Sequence, residues 1–155
     1  MQNVNELGER IASLSAHVDA STHPLLLCIR QFDGLKGWAD QGAISCAHWL
    51  SWRVGWDLAT AREKVRVARA LGNLPAIDEA LRTAHLSYAK VRALTRVATP
   101  QTEGRLLEMA LLATASQLER ICRGYHGVLD RDAPPRPEER WVRSRVLPGG
   151  MVKVE

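Results

Sequence analysis

SCAHWLSWRVGWDLATAREKVR, residues 45–66, is the stretch that decides the fold. Ser45 is a good N-cap for a first helix, and Gly55 breaks that helix. Asp57 then caps a second helix, from about residue 58 to 72. A helix, a glycine turn and a second capped helix follow the pattern of a helix-turn-helix unit. A plain helical hairpin has the same pattern. The stretch therefore predicts two packed helices, and the pattern alone does not decide whether they bind DNA.

The two helices have an inner and an outer face. Leu50 and Val54 are expected to be buried in the first helix, and Ala61 and Val65 in the second. The outer face of the second helix carries four basic residues, which are Arg62, Arg66 and Arg69 with Lys64 beside them. Guanidinium groups on one stripe suit contacts with phosphate or guanine. These four residues are candidate nucleic-acid-binding residues, and a solvated helix surface is the alternative.

A second basic helix follows in the sequence. Pro75 opens a short helix to about Thr83, and Ser87 caps the next one. That helix carries Lys90, Arg92 and Arg96, which we add to the candidate nucleic-acid-binding residues because they would widen the first basic stripe. Residues 45–98 contain 9 basic and 4 acidic side chains, the strongest positive charge in the chain. An acidic partner such as DNA would bind there.

The remaining segments complete the predicted organisation. Thr99 is read as an N-cap with Pro100 at the first helical position, and Thr114 opens the last helix with Gln117 three residues later, a capping box. We divide the chain into a helical domain (1–129), a proline-rich linker (130–139) and the start of a β-hairpin (140–155). Because the chain stops inside a strand, we expect the hairpin to be truncated.

Three tryptophans lie at helical spacing in the first helix of the central stretch and just after it. Trp49, Trp52 and Trp56 could stack on bases, but an aromatic cluster at this spacing is more often part of the core. We therefore interpret all three as core residues.

The N-terminal segment has a heptad repeat that predicts one long helix from about residue 4 to 34. We call its apolar stripe the seam; its members are Val4, Leu7, Ile11, Leu14, Val18, Ser21, Leu25, Cys28, Phe32 and Leu35. Pro24 lies in the middle, so the segment is one kinked helix or two, with Ser21 or Thr22 capping the second. The seam either pairs with another copy or another protein through residues 4–35, or packs against the later helices. We favour the intramolecular packing.

Several classes of protein are disfavoured by the sequence. The 155 residues contain no apolar run near the roughly 20 residues that span a bilayer, and no signal peptide is visible, so no membrane partner is expected. Three scattered cysteines disfavour disulfide scaffolds and indicate a cytoplasmic protein. Cys46 and His48 have no second ligand pair, and no phosphate loop or nucleophile with a base is present. We therefore expect no metal, no cofactor and no catalytic residue in this chain.

Four runs of sequence together carry a family resemblance. GAISCAHWLSWRVG (42–55), AREKVRVARALGNLP (61–75), LSYAKVRALTRVATP (86–100) and TASQLERICRG (114–124) resemble the actinobacterial domain of unknown function 222, also called the 13E12 repeat family. In that family the helical domain is typically N-terminal, and many members continue into an HNH endonuclease domain. The resemblance implies an association with DNA cleavage or mobile elements.

The chain departs from the family pattern at three points. No His-Asn-His arrangement is present, so no nuclease residue is carried over. Ala84 stands where we expect a glycine, at a cost of about 1 kcal/mol if the backbone there is left-handed. Pro24 interrupts a stretch that we expect to be continuous helix.

The sequence therefore predicts a mainly α fold. We expect a multi-helix bundle with a long N-terminal helix, a helix-turn-helix-like unit and the start of a C-terminal β-hairpin. The expected function is a DNA-binding or DNA-positioning module. The alternative is a helical protein-interaction or dimerisation module that does not bind nucleic acid.

Overall fold

A computed structural model describes residues 3–132, 144–146 and 152–154. Within these residues the chain forms eight helices and one antiparallel pair of strands. The elements are α1 (Val4–Gly34), α2 (Gly37–Asp40), α3 (Cys46–Val54), α4 (Leu58–Leu71), α5 (Pro75–Arg82), α6 (Tyr88–Leu94), α7 (Glu103–Leu112), α8 (Ala115–Asp132), β1 (Ser144–Val146) and β2 (Val152–Val154). The mainly α helical fold expected from the sequence is confirmed.

The first helix is continuous over 31 residues, with Pro24 inside it. A capping box starts it, because Asn3 accepts a hydrogen bond from the amide of Asn5 and the amide of Asn3 donates to Glu6. The alternative of two helices with a cap at Thr22 is wrong, since the hydroxyl of Thr22 donates instead to the carbonyl of Val18 at 2.9 Å. The missing amide of the proline is tolerated because the turns that follow it pack into the bundle.

Only the second half of α1 docks on the other helices. Leu26 and Ile29 are buried among them, and His23 Nε2 lies 3.0 Å from Asp78 Oδ2 of α5. Asp19 accepts a hydrogen bond of 2.8 Å from the amide of Tyr88 at the start of α6. The docked face therefore begins near residue 19.

The expectation that the seam packs intramolecularly is wrong for most of its length. Every residue from 3 to 15 is exposed, and among the seam residues Val4, Ile11 and Val18 are 80%, 68% and 66% exposed. The physical reason is angular. Successive residues of a helix differ by roughly 100° around its axis. Leu25 therefore lies to the side of the surface on which Leu26 docks, and it is 42% exposed.

The core lies between α4, α5 and α6, and α1, α3, α7 and α8 each add buried side chains to it. Its largest fully buried members are Leu26, Ile77, Leu81, Leu86, Leu94, Leu118, Val67, Val91 and Cys46. Burial of this many aliphatic side chains supplies the main driving force for folding.

The helix-turn-helix-like unit has the predicted caps. Ser45 Oγ accepts from the amide of His48 at 3.1 Å, and Asp57 Oδ1 accepts from the amide of Thr60 at 2.9 Å. Gly55 closes α3 with a φ of +81°, a backbone conformation that favours glycine. Buried Ala61 and Val65 confirm the inner face of α4.

Two side chains expected to be buried in α3 are exposed. Leu50 is buried as predicted, but Val54 is 48% exposed and Trp52 is 70% exposed. Both lie in the last turn of α3, beyond the part that packs on its neighbours. Trp49 and Trp56 are half-buried, and Trp49 packs on Phe32 with ring centroids 4.5 Å apart. The interpretation of the three tryptophans as core residues is therefore wrong for Trp52.

One further boundary differs from the prediction. Helix α7 begins at Glu103 and not at Pro100, because the amide of Thr99 donates to Thr102 Oγ1 at 2.9 Å and forms a separate turn. The predicted capping box of α8 is present, with the amide of Thr114 donating to Gln117 Oε1 at 2.9 Å.

The C-terminal segment is described in part. Helix α8 reaches Asp132 and so covers the first residues of the predicted linker; residues 133–139 lie outside the described residues. β1 and β2 pair antiparallel, with Val146 opposite Val152, as the hairpin prediction requires.

Ala84, two residues after the end of α5, has a φ of +57°, the left-handed conformation in which we expected a glycine. We expect Ala84→Gly to raise the free energy of unfolding by about 0.5–1 kcal/mol, because an alanine Cβ is strained there and glycine is not. Urea denaturation measures the change. The matched control is Ala89→Gly at an exposed position in the first turn of α6, which should lower the free energy of unfolding by about 0.5 kcal/mol, less than the penalty in a helix interior. Equal losses in both variants would contradict the prediction.

Candidate nucleic-acid interface

Arginines of α4 meet Arg92 of α6 and Arg96, which follows α6, on one surface of the bundle. Arg66 donates from its guanidinium to the carbonyl oxygens of Arg92 and Thr95, at 3.1 and 3.0 Å. Arg96 donates to Glu63 Oε1 at 2.8 Å. These contacts fix α4 beside α6, so the two basic stripes predicted from the sequence become one surface.

The surface extends on both sides of this contact. One shallow depression is lined by Arg62, Arg66 and Arg69 together with the start of α3. Another is lined by Arg92, Arg96 and Arg123, the last from α8. We call these residues the basic surface: Arg62, Arg66, Arg69, Arg92, Arg96 and Arg123. Sequence reasoning missed Arg123, because nothing in the local pattern of α8 indicates that it lies beside α6.

Three carboxylates offset part of this charge. Asp33 accepts two hydrogen bonds from Arg69, at 2.6 and 3.0 Å. Glu119 accepts one from Arg92 at 2.7 Å, and Glu63 lies between Arg66 and Arg96. The basic surface thus holds six arginines against three carboxylates. Its paired arginines remain accessible, since the side chains of Arg69, Arg92 and Arg96 are 64%, 43% and 55% exposed.

Two arginines of the basic surface have no ion pair within the described part of the chain. Arg62 in α4 and Arg123 in α8 are both exposed, and no described side chain or carbonyl accepts a hydrogen bond from either. A guanidinium in water presents all five of its donors to an incoming anion. These two residues are therefore the best placed for contacts with phosphate.

Arg66 has a different role from the one that its position in the stripe indicates. Its guanidinium donates to Glu63, to the hydroxyl of Thr95 and to two carbonyl oxygens at the C-terminal end of α6, those of Arg92 and of the C-cap residue Thr95. The hydrogen bond from Arg66 is the largest factor that lowers the pKa of Glu63, and burial opposes it. Arg66 thus joins α4 to α6, and most of its donors are already used.

The two lysines of the predicted set differ in position, since Lys64 lines a depression with Arg92 and Arg96, whereas Lys90 reaches toward α7. Lys64 Nζ lies 3.5 Å from the ring centroid of Tyr88, a cation–π contact, and burial lowers its pKa while the carboxylate of Asp19 opposes that change. Lys90 Nζ donates to the carbonyl of Ala110 at 2.8 Å, near the C-terminal end of α7. The structure therefore gives both lysines intramolecular partners.

Helix α4 is packed on more than one side. Ala61, Val65 and Ala68 form its inner face, while Val67 and Leu71 are buried on a second face. A recognition helix that enters a major groove needs a wide free face. The exposed face of α4 is narrow, which favours contacts with the nucleic-acid backbone over contacts with base edges.

Other kinds of site are not seen in the described residues. Within residues 3–132 and the two strands, no group of three or more His, Cys, Asp or Glu side chains could hold a metal ion. No helix in the same part of the chain combines the length and apolar character needed to cross a membrane.

Comparison with known families identifies a match. The family model for the domain of unknown function 222 matches residues 6–140, which is most of the chain. No curated protein and no solved structure matches this sequence. The matched range contains all four sequence runs that carry the resemblance, together with every helix of the bundle except the first two residues of α1. The chain therefore belongs to the domain of unknown function 222 family.

Proposed function

We propose that this domain binds the phosphate backbone of DNA through the basic surface. The observation that carries the proposal is the joining of arginines from α4, α6 and α8 on one face. The resemblance to 13E12 repeat proteins adds a setting: in relatives that continue into an HNH endonuclease, such a face would hold the duplex while the nuclease acts. The chain itself supplies binding and positioning.

The ion pairs of the basic surface indicate which of its arginines would contact phosphate first. Arg62 and Arg123 make the first contacts, because they lose no described partner when phosphate arrives. Arg69, Arg92 and Arg96 each bind a carboxylate that phosphate would have to displace or share. Binding is therefore dominated by charge and carries little base specificity.

We expect the double variant Arg62→Glu, Arg123→Glu to bind a labelled duplex at least tenfold more weakly than the wild type at about 0.1 M salt. The slope of log affinity against log salt should fall by about 2, one unit for each lost phosphate contact. Fluorescence anisotropy at several salt concentrations measures both quantities.

The matched control is Arg53→Glu, Arg105→Glu. These two arginines are exposed on α3 and α7 and line neither depression of the basic surface, so the variant has the same net charge with the surface intact. If both double variants lose affinity equally, the attraction is a general effect of net charge and the assignment of the surface is wrong. If the wild type does not bind DNA while its circular dichroism spectrum shows a helical fold, the proposed function is wrong.

A further inference from the structure

The N-terminal arm, residues 3–18, is a helix without an intramolecular partner in the described part of the chain. Residues 3–15 are all exposed, and the first hydrogen bond from α1 to another helix is made by Asp19. A helix of this length is marginal in water unless an apolar face is packed, and this one also contains Gly8, an unfavourable residue in a helix. The arm therefore needs a partner surface to remain helical.

The apolar face of the arm is large enough to be an interface. Its five members expose between 41% and 80% of their surface: Val4, Leu7, Ile11, Leu14 and Val18. Together they present on the order of 500 Å² of apolar surface, more than a scattered set of surface residues would. Two such faces in contact would bury roughly 1,000 Å², the low end of specific protein interfaces.

The residue types on this face indicate a second copy as the partner. In heptad positions, Val4, Ile11 and Val18 occupy a, and Leu7 and Leu14 occupy d. Among parallel coiled coils, β-branched residues at a with leucine at d favour two strands over three or four. In that pairing Arg10 at g faces Ser15 at e of the partner copy, so no like charges meet across the interface.

We infer that two copies of this chain associate through their N-terminal arms as a parallel, in-register coiled coil. The docked face of α1 leaves room for this arrangement, because Leu26 docks roughly 100° around the helix from the seam residue Leu25. Each bundle then lies beside the coil, on opposite sides of the two-fold axis. The inference depends on the arm alone and is independent of DNA binding.

Sedimentation equilibrium tests the association directly. We expect the wild type to dimerise with a Kd on the order of 10 µM, as a small interface allows, and Ile11→Lys, Leu14→Lys to remain monomeric up to at least tenfold higher concentration. The control Glu9→Lys, Ser13→Lys changes exposed residues outside the seam and should still dimerise. All four positions lie outside the bundle, so each variant keeps its core.

Cysteine cross-linking tests the parallel register in a Cys28→Ser background. The remaining thiols are buried, and burial raises the pKa of Cys46 to about 11, so neither should react. Leu7→Cys and Leu14→Cys, tested separately, should each give a disulfide-linked dimer, whereas Glu9→Cys should not. In an antiparallel pair, at most one of positions 7 and 14 could lie opposite the same position of the partner copy.

Three outcomes would overturn the inference. A wild type that is monomeric at every concentration would mean that something else covers the arm, such as the C-terminal segment of the same chain. A dimer that persists in Ile11→Lys, Leu14→Lys would place the interface elsewhere. Cross-linking at only one of positions 7 and 14 would exclude the parallel register.

Discussion

Glu103→Ala is expected to lower the free energy of unfolding by about 2–3 kcal/mol, because the change removes a charged acceptor from the buried start of another helix. Glu103 is only 8% exposed, and its Oε2 accepts hydrogen bonds from the amides of Ala76 and Ile77 at 3.1 and 3.4 Å. These amides belong to the first turn of α5, where the N-cap residue Leu74 makes no side-chain cap. A carboxylate there also interacts favourably with the helix dipole.

Equilibrium urea denaturation, at one fixed protein concentration for all variants, measures this loss, since self-association would otherwise shift apparent stability. Glu103→Gln should lose about half as much, because it keeps an acceptor oxygen but not the charge. Glu108→Ala, an exposed change on the same helix, should alter stability by less than about 0.5 kcal/mol. Similar values for Glu103→Ala and Glu108→Ala would show that the cap on α5 contributes nothing.

The helix caps show which parts of the fold could be predicted from the sequence and which could not. Ser45, Asp57 and Thr114 each cap the helix that follows them within three residues, so local spacing predicted them correctly. Glu103 caps a helix that begins 28 residues earlier in the chain, and no local pattern reports that. Thr99 and Pro100 supplied a local signal for the start of α7, but a separate turn satisfies Thr99 first.

The heptad repeat shows a second limit. It predicted the long helix α1 correctly, Pro24 included, but the expectation that the later helices cover its apolar face was wrong. An apolar period identifies a face of a helix and does not identify what covers it. The docked face of α1 carries Asp19 and His23, whose polar contacts with α6 and α5 no hydrophobic pattern can show.

The basic surface shows the same distinction. Spacing placed Arg62, Arg66 and Arg69 on one side of α4, and all three do line one depression. The ion pairs with Asp33 and Glu119 join residues far apart in sequence, as does the approach of Arg123 to α6. Charge at helical spacing therefore predicted the location of the surface, but not which arginines have donors to spare.

Arg66 shows most clearly the difference between the position of an arginine on the surface and the availability of its donors. If it were a phosphate contact alone, Arg66→Ala would weaken DNA binding and leave folding unchanged. Its guanidinium instead bonds to Glu63, to Thr95 and to a carbonyl of Arg92, so its removal leaves part-buried acceptors without donors. Breaking a fully buried network of this kind costs about 3–5 kcal/mol. Because the Arg66 side chain is 34% exposed, we expect a loss of about 2 kcal/mol.

Two further variants, Arg66→Lys and Arg62→Ala, separate stability from DNA affinity. Urea denaturation measures the first and fluorescence anisotropy the second, both at fixed protein concentration. Arg66→Lys keeps the charge but cannot hold the bidentate geometry to Glu63, so it should lose much of the stability and little DNA affinity. Arg62→Ala should lose DNA affinity and keep its free energy of unfolding within about 0.5 kcal/mol of the wild type. If instead Arg66→Ala denatures at the wild-type midpoint, the guanidinium does not join α4 to α6, and Arg66 belongs with Arg62 among the free phosphate contacts.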